Sequence, residues 1–257
     1  MNTEKMNEAL ELLTDKYAVS PGTLFSDEGV YKVRRDGVED HVVLPWRVER
    51  RFTELKKMID TGTLEGVSTL RFASFASEGQ SIEALLAREI DLAQWLIESP
   101  VKRLFAVCSP GNKTVSAILK FENEMSASIE CSVGLPADAL PMDRHEIIAR
   151  RGVASDRVVD TQVPQASIYL FNEDGERRFT DVDAELFGFS EADIWITRAA
   201  FAILSKPKTT SHWHAAAVRM HALAQAAFES DRSETPVVFT NTENIFLTEK
   251  IQKRNLS

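Results

Sequence analysis

The 257-residue sequence contains only two cysteines and no long apolar run. So little cysteine excludes a disulfide-stapled scaffold, and we expect Cys108 and Cys131, both in β-prone stretches, to be buried and reduced. No apolar run approaches the roughly 20 residues that a membrane-spanning helix needs. Residues 1–15 are polar and mostly acidic and lack the apolar segment of a signal peptide. These absences predict a cytoplasmic protein.

The sequence motifs of several catalytic and metal sites are also missing. There is no C-x-x-C or H-x-x-x-H pair for zinc and no G-x-S-x-G turn for a hydrolase nucleophile. His212, His214 and His221 lie close together in sequence, but their spacing is more typical of a helix cap and helix-surface positions than of a metal site. We therefore predict that the chain binds no metal ion.

Dinucleotides are a further class of ligand that the sequence disfavours. No G-x-G-x-x-G motif occurs, and Gly22 and Gly29 have no preceding parallel strand or following helix that could bind a pyrophosphate. We therefore predict that this chain by itself binds no cofactor. The formal net charge of −9 also disfavours nucleic acid and anionic membrane surfaces as partners.

Residues 79–109 are the most informative stretch of the chain, because they predict a helix followed directly by a strand. Apolar side chains recur three or four positions apart, which is typical of an amphipathic helix. They are Leu85, Leu86, Ile90, Leu92, Ala93, Leu96 and Ile97. Ser81 is a suitable N-cap, and Pro100 ends the helix. The β-prone residues 104–107 follow, so the helix can bury its apolar stripe on a sheet.

The remaining pattern predicts an α+β fold. Further helices are expected over residues 4–16, 47–59, 191–204 and 211–229, and a loop over residues 20–29. Strands are expected over residues 30–33, 41–44, 67–75, 114–121, 125–133, 146–150, 158–163, 168–171 and 177–180, with a possible edge strand within residues 235–246. Turn signals at Asp36–Gly37 and Asp174–Gly175 indicate hairpins. We therefore predict a mainly antiparallel open β-sheet with helices packed on one face.

Five motifs occur in an order that resembles a known family. The central motif is EIDLAQWLIESPVKRLFAV, which contains Asp91 and Trp95. The others are RVERRFTELKKMIDTGTLEGVSTLRF, SAILKFENEMSASIECSVGLP, HEIIARRGVAS and the pair IWITRAAFAIL and HWHAAAVRMHALAQAAFES. Together they resemble the C-terminal domain of Gfo/Idh/MocA oxidoreductases. The resemblance implies that residues 45–257 form that α+β domain, and that residues 1–44, a short helix plus a β-hairpin, replace the nucleotide-binding domain.

The positions that carry redox catalysis in this family are substituted here. The family uses a lysine in an E-K-P motif, and an Asp and a His spaced D-x-x-x-H that move the proton of the substrate hydroxyl. In this chain Val43-Leu44-Pro45 stands near the E-K-P position, Arg88 takes the place of the His and Ala84 that of the Asp. Arginine does not release a proton near neutral pH, and alanine has none to release. The resemblance therefore implies a pseudoenzyme.

Four residues of the central helix remain candidates for ligand binding: Arg88, Asp91, Trp95 and Glu83. Arg88 could bind a carboxylate or phosphate, or it could pair with Glu89 or Asp91. By resemblance Asp91 would orient the helix or the substrate, with a solvated helix charge as the alternative. Trp95 is more typical of a core residue than of a sugar platform, and Glu83 adds negative charge to the first helical turn.

Three functions stay open on these observations. The leading hypothesis is a non-redox binding or assembly module for a sugar- or cyclitol-type ligand. The first alternative is the substrate-domain subunit of a two-chain NAD(P)-dependent oxidoreductase, whose Rossmann-containing partner supplies the cofactor. The second is an enzyme with new chemistry in the old pocket. A homo-oligomer is also expected, because the second sheet face is polar and rich in small residues, and family members commonly pair through it.

Overall fold

The computed structural model describes residues 3–27, 29–35, 39–156, 167–172, 175–180 and 189–239. The chain divides into two compact units, residues 1–53 with 181–217 and residues 54–180 with 218–257. Some sequence predictions lie outside the described residues: the strand at 158–163, the turn residues 36, 37 and 174, and the part of the tail strand beyond 239. The assignment of residues 45–257 to one domain remains a prediction.

The first unit combines helices with a small sheet. Its elements are α1 (Thr3–Tyr17), β1 (Gly22–Asp27), β2 (Val30–Arg35), β3 (Glu39–Val42), a 3-10 turn (Pro45–Arg47), α4 (Glu191–Ser205) and α5 (Pro207–Thr210). The three strands pair antiparallel in the order β1-β2-β3. Helix α4 begins with a capping box in which the Ser190 hydroxyl accepts the Asp193 N–H and the Asp193 carboxylate accepts the Ser190 N–H.

The predicted loop over residues 20–29 was wrong, because strand β1 occupies most of it. Leu24 is buried and pairs with Val33 of β2. The side chain of Asn7 on α1 serves as a second partner: its Nδ2 donates to the Leu24 carbonyl, and its Oδ1 accepts the Leu24 N–H, each at 2.8 Å. The Pro, Gly, Ser and Asp content of this segment indicated a loop, but pairing with β2 and Asn7 satisfies the backbone as a strand.

The second unit is built on a nine-stranded sheet. Its strands are β4 (Val67–Ser77), β5 (Val101–Cys108), β6 (Thr114–Phe121), β7 (Ser126–Leu135), β8 (Met142–Ala149), β9 (Gly152–Ser155), β10 (Ser167–Asn172), β11 (Gly175–Thr180) and β12 (Val237–Val238). Their order is β11-β10-β9-β8-β4-β7-β6-β5-β12. Every neighbouring pair is antiparallel except β4 with β7, which run parallel. The predicted α+β fold with a mainly antiparallel sheet is confirmed.

Helix α3 (Ile82–Ile97) confirms the central prediction, and it packs against β4, β6 and β7. Its start is fixed by Ser81, whose hydroxyl accepts the Ala84 N–H at 3.2 Å. Its end is set by Glu98, which adopts a left-handed conformation at φ 48° before Pro100. The Glu98 carboxylate pairs with Lys56 at 2.8 Å, and Lys56 also pairs with Asp60. Lys56 and Asp60 lie on α2 (Arg50–Asp60), so this ion pair joins the ends of two helices.

The outer edge of β5 is closed by side chains of α6 (Trp213–Ser233). Within the described residues, β12 pairs with Leu104 and Arg103 of β5, and the Phe239 N–H donates to the Lys102 carbonyl at 3.0 Å. Further along, the Ala106 N–H donates to Ser230 Oγ at 3.2 Å, and the Cys108 N–H donates to Asp231 Oδ1 at 2.8 Å. These contacts satisfy backbone N–H groups of the edge strand that could otherwise form hydrogen bonds with a strand of another chain. Burial and the Asp231 charge raise the pKa of Cys108 to about 11, so this half-buried thiol stays protonated near neutral pH.

Across the described ranges, no helix combines the length and the apolar character that a transmembrane segment requires.

Candidate functional site

A buried cluster of charged side chains joins α3 to β8 and to the end of β9. Glu89 of α3 and His145 of β8 have no exposed surface, and Asp156, the residue after β9, is 3% exposed. The His145 Nδ1 lies 2.5 Å from Asp156 Oδ2, and its Nε2 lies 2.9 Å from Glu89 Oε2. The imidazole ring is therefore bracketed by two carboxylates that come from different elements.

The sheet register explains how these three residues meet. His145 lies opposite Phe72 of β4, and the two rings pack edge to face with centroids 4.9 Å apart. The hairpin of β8 and β9 returns the chain, so that the Asp156 N–H donates to the His145 carbonyl. In turn, the His145 N–H donates to Asp156 Oδ1 at 2.7 Å. Asp156 is therefore held by both the backbone and the ring of His145.

The surroundings favour the charged forms of His145 and Glu89. Burial disfavours a charge on the ring, but the Asp156 and Glu89 carboxylates outweigh burial and raise the pKa of His145 to about 9. Burial likewise disfavours the Glu89 carboxylate, but the positive charges of Arg88 and His145 outweigh it and lower the pKa of Glu89. The cluster thus contains an imidazolium near neutral pH rather than a neutral imidazole that could act as a general base.

The cluster continues toward solvent through Arg88, Asp143 and Ser74. Arg88 Nε donates to Glu89 Oε1 at 2.7 Å, and Arg88 Nη2 lies 2.8 Å from Asp143 Oδ2. The Ser74 hydroxyl donates to Asp143 Oδ1 at 2.7 Å and accepts from Arg88 Nη2 at 3.3 Å. The side chains of Arg88 and Asp143 are 25% and 18% exposed. This end is therefore the part of the cluster that a ligand could reach.

The charges of the cluster do not cancel. In their ionised forms Arg88 and His145 supply two positive charges, while Glu89, Asp143 and Asp156 supply three negative ones, so these five groups sum to −1. Alternating signs along the chain of contacts stabilise each group locally.

The four sequence-predicted site residues lie at different depths on α3. Arg88 is half-buried and forms the predicted pair with Glu89. Asp91 is buried at 3% exposure, so it is not a solvated helix charge. Trp95 is half-buried, and Glu83 in the first turn accepts a long contact of 3.5 Å from Gln225 Nε2. Their assignment as ligand-binding residues remains a prediction.

Sequence reasoning missed Glu89, Asp143, His145 and Asp156 as one cluster. Glu89 lies three residues after Leu86 and four before Ala93, so it interrupts the apolar stripe of α3. On β8 the alternation places His145 on the buried face with Ile147. A carboxylate and a histidine on buried faces signal a buried ion pair, but only the fold shows that they face each other.

Among the residues that the structure describes, no group of three or more His, Cys, Asp or Glu side chains is arranged to hold a metal ion.

Comparison with known proteins identifies the fold. No family model and no curated protein sequence matches this chain. A solved levoglucosan dehydrogenase, in complex with NADH and levoglucosan, matches with a TM-score of 0.60 at 14% identity, over 76% of this chain and 65% of that one. Myo-inositol 2-dehydrogenase from Lactobacillus plantarum matches with a TM-score of 0.56 at 15% identity, over 77% and 64%.

A third solved structure is that of the transcriptional regulator Gal80p from Kluyveromyces lactis. It matches with a TM-score of 0.57 at 15% identity, over 76% of this chain and 61% of that one. The present chain thus spans less than two thirds of each of these three proteins. Likeness at such low identity establishes the fold alone. This chain has the fold of the Gfo/Idh/MocA-type oxidoreductases, as its ordered motifs predicted.

Proposed function

We propose that this chain is a binding or assembly module for a sugar- or cyclitol-type ligand and does not carry out nicotinamide chemistry by itself. The observation that carries this proposal is the state of Arg88, which stands where the family resemblance places a proton-transferring histidine. Its guanidinium is held by Glu89 and Asp143. Arginine remains protonated, and Ala84 offers no acid–base group, so neither of these two positions can carry the proton transfer of a dehydrogenase.

The charge of the cluster favours an uncharged ligand. A carboxylate or phosphate at Arg88 would have to displace the Asp143 carboxylate and would meet a cluster with a sum of −1. A hydroxyl group, by contrast, can donate to Asp143 and accept from Arg88 without adding charge. Levoglucosan and myo-inositol, after which two structural neighbours are named, are uncharged polyols, which supports this ligand class, whereas an oxidoreductase from Agrobacterium radiobacter with the same fold is in complex with L-tartaric acid, a dicarboxylic acid. The transcriptional regulator among the neighbours supports a role other than catalysis.

Ligands that share a skeleton but differ in charge test this proposal by thermal shift. We expect myo-inositol or glucose to stabilise the protein more than gluconate or inositol phosphates do. Saturation at about 100 times the dissociation constant adds about 2.7 kcal/mol to the free energy of unfolding. Arg88→Lys keeps the charge but loses the planar fork, so it should reduce the shift. Arg144→Lys on β8, an exposed arginine paired with Glu146, is the matched control and should leave the shift unchanged.

Three outcomes of the screen would contradict parts of this proposal. Stabilisation by micromolar NAD or NADP would contradict the absence of a nicotinamide site. A larger shift with gluconate than with glucose would contradict the ligand class. No shift with any sugar or cyclitol would contradict ligand binding and leave only the assembly role.

The exposed face of the large sheet supports a homo-oligomer. On β6 the buried residues alternate with exposed ones, and Ile118 is 60% exposed. Val107 of β5 is 55% exposed on the same face. Small residues surround them, since Ser128 lies opposite Ile118 and Ser116 lies opposite both Val107 and Glu130. A sheet face that combines apolar, small and charged residues is suited to pairing with the same face of a second copy of the chain.

An aspartate at Ile118 tests this oligomer. We expect the wild-type protein to be a dimer or larger by light scattering after size exclusion, and Ile118→Asp to be a monomer, because a buried unpaired charge opposes association. Leu140→Asp, at a 75% exposed leucine outside the strands, should leave the assembly intact. A monomeric wild-type protein at high concentration would contradict the proposal.

A second candidate is the substrate-domain subunit of a two-chain oxidoreductase. This candidate is favoured because more than a third of each of the two dehydrogenases has no counterpart in this chain, and a partner subunit could supply that part. Such a subunit would show NAD(P)H-dependent oxidation of a polyol only when mixed with its Rossmann-containing partner. Purification from the native source as a homo-oligomer without another chain argues against it.

A further inference from the structure

A neutral imidazole ring cannot donate a hydrogen bond to both of the carboxylates that flank His145. Both of its ring nitrogens face carboxylate oxygens, at 2.5 Å and 2.9 Å. A neutral ring carries only one N–H, so one nitrogen lone pair would then point at a carboxylate, whereas an imidazolium donates to both. We propose that His145 is a proton-dependent latch, which in its doubly protonated form ties helix α3 to the end of strand β9.

The groups that contact the ring, and those that contact them in turn, come from five elements. Helix α3 contributes Glu89 with Arg88 behind it, β8 contributes Asp143, and the end of β9 contributes Asp156. Strand β4 contributes the apolar ring of Phe72, and β7 contributes the buried thiol of Cys131, which interacts with the Glu89 charge. Loss of the ring proton would change the charge sum of these five groups from −1 to −2, and the proton would leave a ring that has no exposed surface.

The geometry also indicates which contact opens first. Asp156 accepts from both the ring and the backbone N–H of His145, and its ring contact is the shorter one. Glu89 has an alternative partner in Arg88. When one proton leaves, the remaining proton should therefore stay on Nδ1, and the contact between Nε2 and Glu89 should open. Deprotonation should therefore break the contact between His145 and Glu89 of α3 and keep the contact between His145 and Asp156 at the end of β9.

The sign of the pH dependence follows from the raised pKa of His145. The imidazolium form persists below about pH 9, and the latch opens as the pH rises through that value. In the unfolded chain the ring titrates near 6.5, so the unfolding equilibrium constant should rise by about tenfold or more between pH 6.5 and pH 9.5. In its closed state the latch contributes fully to stability below pH 6.5.

Nitrogen NMR of the histidine rings tests the latch directly. In the full chain with ¹⁵N-labelled histidine, the His145 ring is recognised by its contacts with Phe72. We expect both nitrogens to be protonated at neutral pH, a midpoint near 9 and the Nδ1–H tautomer above it. The backbone amide signals of residues 87–90 on α3 should shift with the same midpoint, because the opening is on their side.

Two variants and three outcomes complete the test. Asp156→Asn should lower the midpoint by about one unit or more, a tenfold change in proton affinity. Asp138→Asn, at an exposed aspartate after β7, should leave it unchanged. A neutral ring in the wild-type protein at neutral pH would overturn the proposal, even if Asp156→Asn does not fold. An Nε2–H tautomer at high pH, or α3 signals that do not follow the ring, would also overturn it.

Discussion

Replacing Glu89 by alanine should lower the free energy of unfolding by about 3–5 kcal/mol. Glu89 is fully buried and is shared between Arg88 and His145. Its removal leaves a buried imidazolium with a single carboxylate partner and creates a cavity in the apolar stripe of α3. The loss is measured by urea denaturation near neutral pH, from the shift of the midpoint at constant slope.

Glu83→Ala is the matched control for this substitution, since it removes the same side chain from the first turn of the same helix. Glu83 is half-buried with one long contact to Gln225, so its loss should cost less than about 1 kcal/mol. Equal effects of the two substitutions would show that burial of the Glu89 charge is not important for stability.

The same substitution should change how stability depends on pH. In the wild-type protein the pKa of His145 is raised, so the native state keeps the ring proton up to a higher pH than the unfolded state does. The free energy of unfolding should therefore fall between pH 6.5 and pH 9. The pKa of Glu89 is lowered, so its contribution should fall as the pH drops below about 4.5. Glu89→Ala should flatten both slopes, because it removes one partner of His145 and the Glu89 carboxylate itself.

Replacing Phe121 by alanine should cost about 3–5 kcal/mol, because it opens a large cavity in the core. Phe121 is completely buried at the end of β6 and lies opposite Val101 of β5. Its backbone N–H donates to the Met125 carbonyl at 3.0 Å, which closes the turn to β7. The neighbouring side chains are held by two strands and cannot fill the cavity completely. The loss of unfolding free energy should therefore lie in the upper part of the range known for Phe→Ala substitutions.

Ile118→Ala on the same strand provides the control, because Ile118 is 60% exposed on the opposite face. In a dilute sample its effect should stay within about 0.5 kcal/mol. A cost as large as that of Phe121→Ala would contradict the assignment of the two faces. A cost that grows with protein concentration would instead indicate that Ile118 is buried between copies, as proposed for the homo-oligomer.

The fold was predictable where the determining interactions are local. The ends of α3 follow from Ser81 and Pro100, and the faces of β6 and β7 follow from strict alternation of buried and exposed residues. Strand β8 was predicted to begin at residue 146, but it begins at Met142 because pairing with β4 continues to Phe75. Strand β1 was missed for a similar reason, since its partners lie in β2 and α1.

The sequence by itself therefore determined every described helix except the short α5, most of the strands and the resemblance to a known fold, because periodicity and capping act over a few residues. Only the tertiary structure decided the sheet order, including the parallel pairing of β4 and β7. It also decided the cluster at His145, which lies 56 residues from Glu89 and 11 from Asp156 in the chain. Charges so far apart interact strongly only when the fold excludes water from between them, and no local pattern encodes that exclusion.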